Sequence, residues 1–203
     1  MSNRLSRLTL ISSASPLADL SSAMAKIQGK DGHCLEVLPF FTHQLQDPDF
    51  LPETLLNQVR QSDAVLFDLR GNPDRAVSLV QRALAETDGE DIAFIPVFGG
   101  GPSILALTRM GDFSMAGMTT SRPNSNRPGS GDGKGRPAEG TDYRKLKQAG
   151  QSIEPMVSSL PPHLHRHAKN WATCMQYWSN SGADNLANLF RFVAREYGGL
   201  NRY

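Results

Sequence analysis

The amino-acid sequence predicts an α/β protein with a doubly wound, mostly parallel β-sheet. Over about the first hundred residues, short apolar or β-branched runs alternate with segments of helical periodicity, and turn residues separate them. Four strand and helix units follow one another in this way. Because parallel neighbours need crossover connections, which are usually helices, the alternation favours a sheet of about four strands with helices on both faces.

The first two units start from apolar runs at 8–11 and 34–41. Ser15 and Pro16 supply a cap and a first-turn proline for the first helix, and Gly29 is predicted to end it. The apolar face of this helix repeats at intervals of three and four residues, at Leu17, Leu20, Met24 and Ile27. The second helix starts at Pro52 and has its apolar positions at Leu55, Leu56 and Val59.

The third and fourth units start from the runs 64–69 and 92–98. The run 64–69 is apolar apart from Asp68, which is typical of a strand covered on both faces. Asn72 and Pro73 then open a helix whose inward positions are predicted to be Ala76, Val77, Val80 and Leu84. After the fourth run, three glycines and Pro102 lead into another helix.

The stretch LTRMGDFSM, residues 107–115, is predicted to end that last helix. Its first four residues continue the apolar helical pattern, and Gly111 provides the stop. Phe113 and Met115 then stand in a segment whose composition is otherwise polar. We expect the two apolar side chains to dock the chain against Tyr177 and Trp178 farther along the sequence.

The remainder of the chain is predicted to contain a flexible insertion and a helical hairpin. Residues 121–140 are rich in glycine and proline and contain almost nothing apolar, so they cannot bury enough surface to fold. Two stripes with helical spacing follow, separated by NSGADN. The predicted division is an α/β sheet domain at 1–118, an insertion at 119–142, and a helical addition at 143–203 that packs on the same domain.

The composition excludes several classes of protein. The chain has 203 residues, of which 39% are hydrophobic, with no apolar run long enough to cross a bilayer and no signal-peptide pattern at its start, so we expect a cytoplasmic protein. A formal net charge of +1 gives no reason to expect nucleic-acid binding. Cys34 and Cys174 are far apart and belong to no CxxC pair, so they are expected to be buried thiols.

Ligands in such a sheet usually bind at the loops after the strands, here 12–15, 40–43, 70–72 and 99–103. The glycine run is a candidate anion site through Gly100, Gly101 and Ser103, although it lacks the spacing of a dinucleotide fingerprint and the lysine of a P-loop. Arg70 is a second candidate for an anion, and pairing with Asp68 or Asp74 is the structural alternative. These loops leave open a flavodoxin-like protein that binds flavin or a nucleotide.

Metal binding and nucleophilic catalysis have little support in the sequence. His163 and His167 are four residues apart and would share a helix face, but two imidazoles are too few ligands for a closed metal site. No Ser/His/Asp order, HExxH motif or close pair of carboxylates stands in a catalytic context. We therefore predict no catalytic residue and no metal site in this segment.

Several short motifs resemble one protein family when they are taken in order. LTRMGDFSM is followed by a variable polar loop, then by LPP, QYW and GADNLANLFRFVAREY. This order resembles the N-terminal domain of the large, porphyrin-binding H subunit of magnesium chelatase, in a superfamily shared with the large subunit of cobaltochelatase. The resemblance is strongest over 104–118 and 160–197. The matching positions there include Leu160, Pro161, Gln176, Tyr177, Trp178, Gly182, Asn185 and Asn188.

The resemblance implies a part in metal insertion into a tetrapyrrole for chlorophyll or cobalamin biosynthesis. It implies a scaffold or porphyrin-enclosing domain that is not itself catalytic, because the metal-insertion centre is expected in later domains of a much longer subunit. Those domains and separate AAA+ subunits are the implied partners, with protoporphyrin, Mg and ATP serving the whole complex. The implied contacts to porphyrin or to other domains are Arg109, Phe113, Met115, Tyr177 and Trp178, with the loop residues Arg122, Arg127, Lys134 and Arg136 as further basic candidates.

Overall fold

The computed structural model describes residues 5–13, 17–31, 34–71, 73–98, 101–116 and 157–199. These residues form a six-stranded sheet with helices on both faces. The strands are β1 (Ser6–Ser12), β2 (Leu35–Phe41), β3 (Ala64–Asp68), β4 (Ala93–Phe98), β5 (Arg109–Met110) and β6 (Phe113–Ser114). The helices are α1 (Leu17–Asp31), α2 (Thr42–Gln46), α3 (Pro52–Arg60), α4 (Asp74–Glu86), α5 (Gly101–Leu105), α6 (His165–Asn180) and α7 (Ala183–Tyr197), with a 3₁₀ turn at Pro162–Leu164 before α6.

The strand order is β2-β1-β3-β4-β5-β6. The first four strands are parallel, whereas β4 pairs antiparallel with β5, and β5 pairs antiparallel with β6. The prediction of an α/β fold is therefore confirmed. The prediction of about four mostly parallel strands needs correction, because two short antiparallel strands extend the sheet and make it mixed.

The stretch 107–115 accounts for this difference. α5 ends at Leu105 rather than continuing to Met110, so Gly111 does not end a helix. Gly111 has a φ of +55° and occupies the turn of a β-hairpin formed by β5 and β6. Glycine adopts this left-handed conformation without steric cost, which suits it to a tight turn. The apolar spacing of so short a stretch cannot distinguish a helical turn from a two-residue strand.

Two cores lie on opposite faces of the sheet. One joins the sheet to α1, α6 and α7, and it includes Leu10, Leu66, Ile95 and Phe190. The other joins the sheet to α2, α3, α4 and α5. In the central strand β3, Ala64 and Leu66 enter the first core and Val65 and Phe67 enter the second, as the pleat of a strand requires. This arrangement explains why the central strands are apolar on both faces.

The last two helices pack against the sheet and against α1. α6 lies on β4, where the indole Nε1 of Trp171 donates to the carbonyl of Pro96 at 3.1 Å, and α7 lies on α1 and β1. Gly198 follows α7 so close to β1 that a Cβ at this position would lie 1.9 Å from the Ser6 hydroxyl oxygen. These contacts agree with a helical hairpin packed on the sheet. The division of the chain into domains stays a prediction.

Local details differ from the sequence predictions at several elements. α1 continues through Gly29 to Asp31. The inward face of α4 consists of Ala76, Leu79, Val80 and Ala83, with Val77 and Leu84 partly buried.

Both cysteines are buried thiols, and burial raises the pKa of Cys174. The insertion predicted at 119–142 lies outside the described residues. Within the described part of the chain, no helix combines the length and apolar character needed to cross a membrane.

Candidate functional site

The candidate site lies at the edge of the sheet where the parallel strands end. The connection from β1 leads to one side of this strand, to β2, and the connection from β2 returns to its other side, to β3. The boundary between β1 and β3 is therefore a topological switch point. Doubly wound folds commonly bind ligands there, outside the carboxyl ends of the strands.

Asp68, the last residue of β3, is a fully buried carboxylate at this boundary. Ser13 follows β1 and donates from its hydroxyl to Asp68 Oδ1 at 3.2 Å, while its backbone N–H donates to the Asp68 carbonyl at 2.8 Å. From α6, the indole Nε1 of Trp178 donates to Oδ2 at 3.3 Å. A buried charge is costly unless it is paired and hydrogen-bonded, so these donors explain how an aspartate fits into an apolar strand.

Arg70 neutralises this carboxylate and reaches the surface. Its Nε donates to both oxygens of Asp68, at 3.0 and 2.9 Å, and its Nη2 lies 2.6 Å from Oδ2. The guanidinium also stacks over the ring of Phe98, the last residue of β4, at 4.6 Å from the centroid. The Arg70 side chain is 31% exposed. Of the two predicted carboxylate partners for Arg70, the structure thus shows Asp68.

Two backbone irregularities lie beside this group of side chains. The pairing of β3 with β4 shifts between Phe67 and Asp68, so that Asp68 stands opposite Phe98. Such bulges re-aim side chains and are frequent next to functional sites. Ser181, three residues after Trp178, has a φ of +54°, which is an uncommon conformation for a residue other than glycine. The loop between α6 and α7 thus carries local strain near the site.

We name Ser13, Asp68, Arg70, Phe98 and Trp178 the carboxyl-edge cluster. It offers a fixed guanidinium on an aromatic ring, with its counter-charge buried beneath it. The pair of charges cancels overall, so recognition here depends on directed hydrogen bonds rather than on a strong positive potential. The chemistry of this cluster is binding and orientation, since its carboxylate is already saturated with donors.

Arg109, a predicted contact residue, is engaged far from this cluster. Its three guanidinium nitrogens donate to the carbonyls of Ile92 and Leu84, both at 3.3 Å, and to the Thr87 hydroxyl at 2.9 Å. The guanidinium also lies over the ring of Phe94, 4.8 Å from its centroid. Arg109 therefore fastens the end of α4 to β4 and β5.

Phe113 and Met115 belong to the core beneath α6. Phe113 is fully buried and Met115 nearly so. The turn between β5 and β6 approaches the beginning of α6, because a Cβ on Gly111 would lie 2.7 Å from His167 Nε2. Trp178 lies eleven residues farther along α6, roughly 16 Å at the rise of an α-helix. The expected docking of Phe113 and Met115 against Tyr177 and Trp178 therefore stays a prediction, although Phe113, Met115 and Trp178 share one core.

The other two predicted contact residues have different environments. Tyr177 is half-buried, and its ring lies 6.2 Å from that of Phe192 in α7. Trp178 is nearly buried and belongs to the carboxyl-edge cluster through its bond to Asp68. The sequence therefore singled out Arg70 and Trp178 separately, and the fold joins them through Asp68.

The predicted anion site after β4 is only partly described, since Gly100 lies outside the described residues. Gly101 begins the five-residue helix α5 with a φ of +47°, and Ser103 lines an open groove together with Asp74 and Ser78. A carboxylate beside Ser103 opposes the binding of an anion in this groove. The basic loop residues Arg122, Arg127, Lys134 and Arg136 also lie outside the described part of the chain.

A second polar group, around His167, lies at the beginning of α6. His167 Nδ1 lies 3.1 Å from the Tyr197 hydroxyl oxygen, and this oxygen accepts a hydrogen bond from the Asn170 amide at 3.3 Å. Burial and the nearby charge of Arg166 lower the pKa of His167, and burial raises the pKa of Tyr197. His163 is exposed in the preceding 3₁₀ turn. Among the described residues, no group of three or more His, Cys, Asp or Glu side chains is arranged to hold a metal ion.

The sequence marked Asp68 as the polar exception in an apolar strand and as one of two possible partners for Arg70, but not as the centre of a cluster. Its role follows from the sheet order, which brings Ser13 and Phe98 from neighbouring strands to either side of it. The available signals were a charged residue at the end of a buried strand and an arginine two positions later. Neither signal indicates that Trp178 would reach the same carboxylate from 110 residues away in sequence.

Comparison with known proteins shows one distant and partial relationship. The chain is 26% identical over 158 residues to the H subunit of magnesium chelatase from Chlorobaculum parvum. The matched stretch covers 76% of this chain but only 12% of that much longer protein. No known family profile matches the chain. The similarity supports a distant relationship to this chelatase protein.

Proposed function

We propose that this chain is a scaffold domain of the tetrapyrrole chelatase type, corresponding to an N-terminal portion of a magnesium chelatase large subunit. The proposal rests first on the similarity of this chain to the Chlorobaculum parvum protein, which extends over 76% of this chain. In this role the chain holds other domains of the subunit and does not insert the metal itself. Separate AAA+ subunits supply ATP hydrolysis, and the metal is magnesium or cobalt.

The observation that carries the scaffold role is the placement of the family-like stretch 107–115. Its apolar side chains Leu107, Met110, Phe113 and Met115 are all buried, and Arg109 donates to acceptors within the fold. The buried apolar side chains pack the β5–β6 hairpin against the core, and Arg109 joins it to the end of α4. They are not free to form the wall of a porphyrin pocket on the outer surface.

A hybrid large subunit tests this proposal. The Chlorobaculum parvum large subunit without its matched stretch is compared with a hybrid in which this chain replaces that stretch. We expect the hybrid to recover ATP-dependent magnesium insertion into protoporphyrin IX in the presence of the chelatase ATPase subunits, followed by absorbance. We expect this chain with the ATPase subunits alone to insert no magnesium.

Two variants sharpen the result. Phe113→Ala removes a fully buried ring and should abolish the recovered activity by unfolding the domain, at a cost of about 3 to 5 kcal/mol in stability. Leu51→Ala changes a side chain that is 70% exposed and should leave the hybrid active. A correctly folded hybrid that inserts no more magnesium than the truncated subunit would contradict the scaffold role.

A further inference from the structure

We propose that a groove beside α2, at the carboxyl end of β2, is a docking site for a protein partner that presents an arginine or lysine next to an apolar side chain. This α2 groove has a volume of about 560 Å³ and is open to solvent. Its lining combines apolar and acidic side chains and includes Pro39, Phe40, His43, Asp47, Asp49 and Phe50. The inference goes beyond the scaffold role and does not depend on it.

Two phenylalanines give the α2 groove its apolar wall. The rings of Phe40 and Phe50 meet edge to face, with their centroids 6.3 Å apart and their planes at 87°. Both side chains pack against the core that joins the sheet to α2 and α3, and both are only partly buried. The part of each ring that stays accessible lines the groove next to Pro39. An apolar side chain of a partner can therefore be buried against two aromatic rings.

Two carboxylates make the rim of the α2 groove negative. Asp47 and Asp49 are both exposed, and within the described part of the chain neither forms an ion pair. Arg75 of α4 reaches the same loop, but its guanidinium donates to the backbone carbonyls of Asp47 and Phe50 and does not line the groove. The charge that complements this rim is therefore a cation supplied by the partner.

The loop that carries the two carboxylates is held in place before a partner arrives. Asp47 Oδ1 accepts from the Asp49 backbone N–H at 2.9 Å, and the Phe50 N–H donates to the Asp47 carbonyl at 3.1 Å. Arg75 fastens the carbonyls of Asp47 and Phe50 from α4. A groove fixed in this way loses little conformational entropy on binding, which favours recognition of a partner.

The shape and the place of the α2 groove favour a protein over a small molecule. Small ligands usually bury most of their surface in a concave site, whereas this groove is open to solvent. β2 is the outermost strand on this side of the described sheet, so a second protein can approach without meeting another of the described strands. Protein interfaces typically combine an apolar, often aromatic centre with a polar rim, which is the arrangement found here.

Short peptides test the proposal on the whole chain. The probe is the tripeptide Arg-Phe-Arg, acetylated and amidated at its ends, and the two control peptides are Arg-Gly-Arg and Glu-Phe-Glu with the same blocked ends. Each peptide is titrated into ¹⁵N-labelled protein and followed by nuclear magnetic resonance. We expect Arg-Phe-Arg to shift the backbone amides of Gln44, Asp49 and Phe50 in a saturable way. Arg-Gly-Arg should bind about threefold more weakly or worse, and Glu-Phe-Glu about tenfold more weakly or worse.

Matched double variants locate the binding. Asp47→Asn together with Asp49→Asn removes both charges and should weaken binding about tenfold, while asparagine keeps a side-chain oxygen that can accept from the loop backbone. The control is Glu90→Gln together with Asp91→Asn, which removes two exposed charges at the opposite edge of the sheet, before β4. This control should bind Arg-Phe-Arg like the parent protein.

The proposal is overturned if Arg-Phe-Arg shifts no amide of the groove, if either control peptide binds as tightly, or if the folded variant without both carboxylates binds like the parent protein. Circular dichroism verifies the fold of each variant. If the double variant does not fold, the single variant Asp49→Asn and the comparison of the three peptides on the parent protein decide the question. Failure of the hybrid subunit alongside peptide binding at the α2 groove would reject only the scaffold role.

Discussion

Gly111 shows how one residue fixes the end of the sheet. Its positive φ and the ring of His167 both exclude a side chain, since a Cβ would meet the imidazole at 2.7 Å. The imidazole cannot move aside freely, because it lies within hydrogen-bond distance of the Tyr197 hydroxyl. The close packing of Gly111 and His167 therefore fixes the position of the β5–β6 turn relative to the beginning of α6.

We predict that Gly111→Ala destabilises the protein by about 1 to 3 kcal/mol, because alanine must adopt a strained backbone and displace His167. Urea unfolding followed by circular dichroism measures the loss. The matched control is Gly29→Ala in α1, where a Cβ meets nothing within 4 Å. The control should stabilise the protein by about 0.5 to 1 kcal/mol, since alanine is the better helix former. Equal effects at both positions would refute this account of Gly111.

At the scale of elements, the β5–β6 hairpin is fastened from both sides. Arg109 connects it to the end of α4, and His167 on α6 closes over its turn. A hairpin of two-residue strands has too few hydrogen bonds to be stable alone. These two fastenings, together with the burial of Phe113, account for its presence in the sheet.

We predict that Arg109→Met lowers stability by about 1 to 3 kcal/mol, because it leaves backbone carbonyls of α4 and of the segment before β4 without their donor. Thermal and urea unfolding measure the change. Arg60→Met serves as the control, because the Arg60 side chain, which pairs with Glu86, is more exposed than that of Arg109. We expect this substitution to cost about 1 kcal/mol or less. A loss at Arg109 no greater than at Arg60 would contradict the fastening.

The contact of the hairpin with α6 should depend on pH. Burial and Arg166 lower the pKa of His167, whereas Asp112, Glu196 and Asp91 act to raise it. The folded protein therefore prefers the neutral imidazole. In the unfolded chain the His167 imidazole has a pKa of about 6.5, and in the folded protein its pKa is lower. The contribution of neutral His167 to stability is therefore fully present above about pH 6.5 and is lost as the pH falls toward the pKa of the folded state.

We predict that the free energy of unfolding falls between about pH 7 and pH 5 and that His167→Gln makes this decrease smaller. His163→Gln, which changes an exposed imidazole, should leave the slope as in the parent protein. Urea titrations at half-unit intervals of pH provide the measurement. A slope that is unchanged in His167→Gln would show that another group controls this range.

At the scale of the whole molecule, the sheet is covered on both faces, and α6 and α7 form much of one cover. They share a core with α1 and with the central strands. Residues from 8 to 194 thus meet in one apolar cluster, although a long stretch between them lies outside the described residues. Such a shared core favours unfolding as one cooperative unit.

We predict a single unfolding transition in urea. Tryptophan emission reports on α6, which contains Trp171 and Trp178, while far-ultraviolet circular dichroism reports on all the helices and the sheet. The two curves should have the same midpoint. A tryptophan transition at distinctly lower urea would show that the helical hairpin unfolds before the sheet and forms a separate unit.

Periodicity and turn residues predicted the α/β class, the four parallel strands and the last two helices, because each of these elements is long enough to show its repeat. They could not predict β5 and β6, whose two-residue strands show no period, and they placed Gly111 at the end of a helix. For the site, Arg70 was found from its place after a strand. Its connection to Trp178 depends on packing between distant segments, which local sequence patterns do not encode.

The seating of α7 against β1 has a consequence for how the protein is made. Gly198 lies against Ser6, so the first strand of the sheet meets the residues that follow the last described helix. A nascent chain that has emerged from the ribosome only as far as Met115 has all six of the strands described above but lacks α6 and α7. One apolar face of its sheet stays largely uncovered until those helices are translated, and during that interval the chain is exposed to aggregation and to chaperone binding.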